Sequence, residues 1–319
     1  MSDPVLVADI GGTNVRFAIA EAAGGAIAIS KPQNFRAEDF ETIRDAADAY
    51  LESVEAKPKR ACFAVAAPVK TAEIKFTNSH WRFQPKEIET ALRLDGLRVV
   101  NDFYALAAGV DFMPADAFVT VKDGKPDTGA PVLVIGPGTG LGQALIVPTP
   151  DSGRVIVATE GGHVSFAPRT DEEFEIKKFI AREHPRVSVE RILSGRGLVN
   201  IHRALCAVEG TQRVSLQANE ITKAAIEGAY PIAVKAVDMF CTILGRVAGD
   251  AVLATGARGG VVLGGGILPK IKDVFLNSDF VEHFTEKGRM SEYVGAAPVK
   301  MIITEEAALY GAAASLQLN

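Results

Sequence analysis

Apolar positions at the head of the chain form a near-continuous run over residues 4–10, the pattern of a strand covered on both faces. Gly11-Gly12-Thr13 then supplies a tight turn, and residues 15–20 resume as a second strand. A glycine-tipped hairpin is predicted, with Asp9 beside the tip. The spacing changes at 39–54, where Phe40, Ile43, Ala46, Ala47, Tyr50, Leu51 and Val54 share one helical face. Strands are predicted at 60–66 and 73–77, and a short helix at 86–94. The polar turn Thr77-Asn78-Ser79-His80 lies between them, with His80 read as a surface turn residue. Residues 97–100 read as another short strand and 103–110 as an Ala- and Leu-rich helix. Asn101-Asp102 sits at their junction.

After Val110 the rhythm restarts, which predicts a domain boundary there. An apolar strand at 131–135 runs into Gly136-Pro137-Gly138-Thr139-Gly140-Leu141-Gly142, and a second strand follows at 144–147. A further strand at 154–158 leads to Thr159-Glu160-Gly161-Gly162-His163-Val164-Ser165. Helices are predicted at 171–182 and 198–208, with a break at Ser194-Gly195-Arg196-Gly197 between them. A long helical pattern follows over 217–253, broken or kinked at Pro231. Residues 260–263 form a strand ending in Gly264-Gly265-Gly266. A last strand at 299–303 precedes a helix reaching about residue 316.

Chemistry enters at the ends of these strands. Ligands of open α/β sheets bind at the carboxyl ends of strands, so Asp102 is a candidate catalytic acid as well as a helix cap. Glycines at a hairpin tip let backbone N–H groups approach an anion, which suits phosphate, and Asp9 is placed to hold magnesium. The first hairpin taken alone also reads as an ordinary turn, whereas the glycines and Pro137 crowded into the second are hard to justify by turn geometry alone and favour phosphate contact. The second glycine cluster has the spacing G-x-G-x-G, not G-x-G-x-x-G, and no helix follows it, so a Rossmann dinucleotide site is disfavoured. A G-x-x-x-x-G-K-[ST] sequence is absent, which excludes a P-loop. Glu160 and His163 form a polar pair able to exchange hydrogen bonds with a polyol, or an ordinary turn. Glu190, taken by itself, reads as a solvated helix-start acid. The Gly264–Gly266 turn reads equally as a seat for a nucleoside or as a simple tight turn.

Composition narrows the class. The 319 residues are 48% hydrophobic and 23% charged, those of an ordinary globular protein of about two domains. A net charge of −5, with no Lys/Arg-rich run, argues against a nucleic-acid partner. Cys62, Cys206 and Cys241 lie far apart in apolar segments, which suits a reducing compartment and neither a disulfide framework nor a zinc site. With no basic leader and no apolar run approaching ~20 residues, a cytoplasmic protein without membrane contact is expected.

Asp9-Ile10-Gly11-Gly12-Thr13, Asn101-Asp102, Gly138-Thr139-Gly140-Leu141-Gly142, Glu160-Gly161-Gly162-His163, Glu190-Arg191-Ile192-Leu193-Ser194-Gly195 and Gly264-Gly265-Gly266-Ile267 occur in one order along the chain. In that order they resemble the bacterial glucokinase family of the proteobacterial type, within the sugar-kinase, heat-shock ATPase and actin superfamily. The resemblance runs from residue 5 to the C-terminal helix. It implies an α/β fold of two ribonuclease-H-like, actin-like ATPase domains with the active site in the cleft between them. The small domain would comprise 1–110 plus 303–319, and the large domain 111–302. The implied activity is ATP-dependent phosphorylation of D-glucose to glucose 6-phosphate, the entry to glycolysis. By resemblance Asp102 is the general base, and Asn101, Glu160, His163 and Glu190 bind the hexose. Ala8, Asp9, Ile10, Gly11, Gly12, Thr13, Gly138, Thr139 and Gly140 contact ATP phosphates, Gly265 lies by the nucleoside, and Mg²⁺ arrives with ATP near Asp9. A sugar held by both domains would favour closure of the cleft. Ala8 departs from the Gly often found before the Asp. Ser165-Phe166-Ala167-Pro168 stands where the other large group of bacterial glucokinases has a cysteine-rich zinc motif, so no structural metal is expected. Alternatives are a kinase for another hexose or amino sugar, or a non-catalytic sugar sensor of the same fold. Related enzymes are often dimers, but no interface is marked in the sequence.

Overall fold

Strand β1 (Val5–Ile10) is apolar enough to be sealed on both faces, and it lies at the centre of a five-stranded sheet. The computed structural model describes residues 3–316 apart from 68, 70, 77–79, 152 and 212–214. The turn expected at 77–79 thus falls outside the described residues. His80, next to it, is exposed, with Nε2 3.1 Å from the carbonyl oxygen of Phe40.

The chain divides into two units, residues 1–117 with 304–319, and residues 118–303. In the first unit β1 pairs antiparallel with β2 (Asn14–Ala23), which pairs antiparallel with β3 (Ala26–Arg36). On its other side β1 pairs parallel with β4 (Arg60–Val65). The short strands β5 (Ile74–Lys75) and β6 (Arg82–Phe83) make a separate ribbon, and β7 (Gly96–Asn101) completes the main sheet beside β4. The order is β3-β2-β1-β4-β7.

Helix α1 (Ile43–Val54) starts in a capping box between Thr42 and Asp45, which satisfies end donors that would otherwise be orphaned. It buries Ile43, Ala46, Ala47, Tyr50 and Val54 on the sheet, and Tyr50 stacks on Phe17 with ring centroids 5.5 Å apart. Helix α2 (Pro85–Ala91) leads into β7, and α3 (Asp102–Gly109) leaves it. The C-terminal helix (Ala307–Ser315) packs on α3 with almost no gap. A Cβ on Gly311 would fall 1.7 Å from the Ala105 carbonyl oxygen.

The second unit repeats the plan. Its sheet contains β8 (Phe118–Lys122), β9 (Val132–Pro137), β10 (Leu141–Pro148), β11 (Arg154–Thr159), β12 (Gly260–Leu263) and β13 (Val299–Ile302), in the order β11-β10-β9-β12-β13-β8. Three antiparallel strands, β9 to β11, are followed by parallel β12 and β13, as in the first unit, with β8 added at the edge. Helices α4 (Asp171–Ala181), α5 (Gly195–Val208), α6 (Ala218–Ile226) and α7 (Pro231–Thr255) supply most of the covering core, with the short α8 (Lys272–Leu276), α9 (Phe280–Thr285) and α10 (Ser291–Gly295) after β12. Among the described residues no helix is long and apolar enough to cross a membrane.

Two edge strands and one helix start differ from the sequence expectation. Strands β3 and β8, which the hydrophobic pattern did not mark, extend the sheet edges. β3 exposes most of its residues and carries Lys31 at φ 52 before Pro32, so its strand signal is weak. The helical pattern at 217–253, expected to break or kink at Pro231, is two helices. Pro231 is the first residue of α7, and Gly228 adopts φ 64 in the connection. The break expected at 194–197 is instead the start of α5, because Ser194 caps the helix by accepting from the N–H of Gly197.

Candidate active site

In the first unit the parallel strands β1, β4 and β7 end together, with Ile10, Val65 and Asn101 in register. Asn101 caps α3, its Oδ1 accepting from the N–H groups of Phe103 and Tyr104 at 3.0 and 3.1 Å. Its Nδ2 donates to Asp102 Oδ1 at 2.8 Å, and the Phe103 N–H donates to the same oxygen at 2.9 Å. The capping role of this dipeptide therefore falls mainly on Asn101, while Asp102 is held by its neighbours with one oxygen engaged. Burial, and then the negative charge of Asp9, push the Asp102 carboxyl up to about 6, against these hydrogen bonds.

Asp9 stands two strands away, and burial raises its own proton affinity. Arg16 opposes that rise. It is directly opposite Asp9 in the β1–β2 register, so the two side chains share a sheet face. Arg16 is fixed in turn by Asn34 Oδ1 at 2.5 Å and Glu305 Oε2 at 2.6 Å. Between Asp9 and Arg16 the hairpin turns at Gly11, whose N–H donates to the Asn14 carbonyl at 2.9 Å. Two carboxylates sensing one another beside a glycine turn make a site of oxygen donors. That set suits a hard cation which keeps some of its water and takes its remaining ligands from phosphate. Among the described residues no group of three or more His, Cys, Asp or Glu side chains could hold a metal without such help.

In the second unit, backbone hydrogen bonds tie together the segments that carry three of the residues expected to bind sugar, Glu160, His163 and Glu190. Val189 N–H donates to the Val164 carbonyl and Phe166 N–H to the Val187 carbonyl, both at 2.9 Å. These bonds lay the segment after His163 against the segment before Glu190. Glu160 opens a single 3₁₀ turn over Gly161–His163, with His163 Nε2 3.7 Å from Glu160 Oε2 and both side chains exposed. Gly162 lets that turn sit against β10, since a Cβ there would come within 2.2 Å of the Leu141 carbonyl oxygen. Glu190 Oε2 accepts from the Leu141 N–H at 3.0 Å, at the second glycine hairpin. The Gly264–Gly266 turn closes on the same hairpin from β12. Gly265 is at φ +82, and a Cβ on it would lie 2.4 Å from the Pro137 carbonyl oxygen, so two requirements select glycine there. Arg16 beside Asp9 and Gln143 were not marked from sequence, whereas Ser194 belongs to the Glu190 motif. Gln143 backs the Gly161 turn, and Ser194 Oγ donates to the Glu190 carbonyl at 2.8 Å.

The glucokinase family model matches residues 6–319. The chain belongs to the glucokinase family. A curated glucokinase from Hahella chejuensis is 40% identical over 313 residues, covering 98% of this chain and 96% of that protein. The crystal structure of a glucokinase from an Antarctic psychrotroph superposes with a TM-score of 0.88 at 39% identity, covering all of both chains. A more distant ROK family glucokinase from Streptomyces griseus, solved with glucose and AMPPNP, shares the fold at a TM-score of 0.63 and 20% identity, covering 98% of each chain. The fold is therefore that of the sugar kinases with actin-like ATPase architecture, two sheets of one plan each carrying a glycine hairpin.

Proposed function

We propose that the chain transfers the γ-phosphoryl group of ATP to the 6-hydroxyl of D-glucose in the cytoplasm, with Asp102 as general base. The observation that carries this reading is the Asp102 carboxylate. It stands at the carboxyl end of β7, oriented by Asn101 and the Phe103 N–H, with a proton affinity raised toward neutrality. Membership of the glucokinase family supports ATP and glucose as the substrate pair.

Phosphoryl transfer asks for positioning and charge stabilisation more than for covalent help. Glu160, His163, Glu190 and Asn101 accept and donate hydrogen bonds to ring hydroxyls, fixing the sugar so that one hydroxyl faces the phosphate. Asp102 accepts the proton of that hydroxyl as the oxygen–phosphorus bond forms, and ADP leaves with the electron pair of the broken bond. Residues 8–13 and 138–140 lie at the phosphates, their glycine turns letting the backbone come close, and Gly265 leaves room for the nucleoside. Asp9, with phosphate oxygens, would hold magnesium, which would supply positive charge to the transferring group.

The test is ADP release by the purified protein with ATP and each of a panel of hexoses. Glucose is expected to give the highest kcat/KM. A higher value for mannose, fructose or an amino sugar would reassign the acceptor, and no sugar-dependent release would reject the reading.

A further inference from the structure

Glu190 lies where two functions meet. One of its oxygens, Oε2, accepts the Leu141 N–H at 3.0 Å, while Oε1 carries no hydrogen bond among the described residues. Leu141 closes the hairpin turn that holds Gly138 and Gly140, and the Gly138 N–H donates to the Gly140 carbonyl at 2.7 Å. A second tie joins the same two segments, because the Gly195 N–H donates to the Gly138 carbonyl at 2.9 Å. Ser194 Oγ meanwhile donates to the Glu190 carbonyl, which ties the turn bearing Glu190 to the start of α5. Ile192 and Leu193 between them are fully buried and anchor that turn in the core.

We infer that Gly140 and the Leu141 N–H are positioning groups for the hexose: the hairpin aims the Glu190 carboxylate, which leaves Oε1 for the sugar. The inference rests on the assignment of Glu190 to the sugar in the proposed function. It gives Gly140 a role separate from phosphate contact. A Cβ at position 140 would stand 2.4 Å from Glu190 Oε2 and 3.2 Å from its Cδ, and Gly140 is not among the positive-φ glycines. Alanine therefore fits the backbone there and must push the carboxylate aside. Only the far end of a flexible side chain has to move, so the hairpin itself can keep its shape.

The coupling makes an unusual demand: a change in a hairpin assigned to ATP should read out in glucose. Glucose binding measured by calorimetry without nucleotide should weaken about tenfold in Gly140→Ala, the scale of losing one hydrogen bond to a charged group. Affinity for a non-hydrolysable ATP analogue should change by a smaller factor. In a Glu190→Ala background, Gly140→Ala should weaken glucose no further, since the group it displaces is gone. Unchanged glucose affinity in Gly140→Ala, or an equal loss in both backgrounds, overturns the coupling. So does an equal loss for glucose and the nucleotide analogue. If Glu190→Ala alone binds glucose as the wild type does, the assignment of Glu190 fails and takes the coupling with it. Should Gly140→Ala not fold, the Leu141 amide resonance decides the matter in the unaltered chain. It should shift as glucose is titrated in, and stay still in Glu190→Ala; a wild-type resonance that glucose leaves in place overturns the inference.

Discussion

A base that takes a proton from a sugar hydroxyl works only while it is ionised, and Asp102 is held close to the limit. Burial and Asp9 set its carboxyl at about 6, so kcat should fall tenfold per unit below that pH. A pH–rate profile flat down to pH 4.5 would show that another group accepts the proton. The same shift has a cost in stability. The native state holds this proton more tightly than the unfolded chain does, so stability is greatest below the ordinary carboxyl value of 3.8 and declines as pH rises from there to about 6. Asp102→Asn should therefore be more stable than the wild type at pH 8, by about 1–3 kcal/mol, with the gain vanishing near pH 4. Thermal melts at the two pH values check the sign. For the sugar-binding carboxylates, Glu160→Ala and Glu190→Ala should each cost about 1.5–3 kcal/mol of glucose affinity and little for ATP, read as separate KM values. Asp102 was legible because acid, strand end and helix start are adjacent in sequence. Arg16 was not, although the hairpin length contains the clue: a turn closed from Gly11 to Asn14 places residue 16 opposite residue 9.

Elements that position the site divide by how they are buried. The doubly covered strands β1, β4, β9 and β12 carry continuous apolar runs, and their residues were readable within one or two positions. The edge strands β3 and β8 rest on pairing with a neighbour, which leaves a weak pattern in their own residues. The expectation that residues 303–319 belong with 1–110 named no contact. The C-terminal helix meets α3 through Gly109 and Gly311, and the Arg98 guanidinium donates to the Ser315 carbonyl at its far end. Since α3 begins at Asp102, this contact fixes the helix whose first residue is the proposed base. Gly311→Ala would drive a methyl into the Ala105 carbonyl. The expected loss is about 1–3 kcal/mol or more, from overpacking of a close helix pair. Urea unfolding that matched the wild type would show the contact to be looser than described.

Across the whole molecule, a repeated sheet plan brings one glycine hairpin to each unit, and family membership spans both. The pattern of six short motifs in order is what makes this readable in the sequence. Each motif alone was ambiguous, because a glycine turn or a capped helix serves structure and phosphate equally well. Removing divalent cations with a chelator should abolish activity while leaving the thermal melt unchanged, and magnesium should restore it. A chelator-induced loss of structure would mean that a metal supports the fold. Sugar-free ATP hydrolysis should be far slower than transfer to glucose, since water lacks the hydrogen bonds that orient the hexose hydroxyl. The most direct measurement of the central claim is ADP release by wild type and Asp102→Asn at saturating ATP, with and without glucose, beside glucose binding by calorimetry. Release should depend on glucose in the wild type and fall roughly a hundredfold or more in the variant, while the glucose Kd stays within a few-fold. Wild-type turnover in Asp102→Asn would contradict the account and leave that carboxylate a partner of the helix start alone.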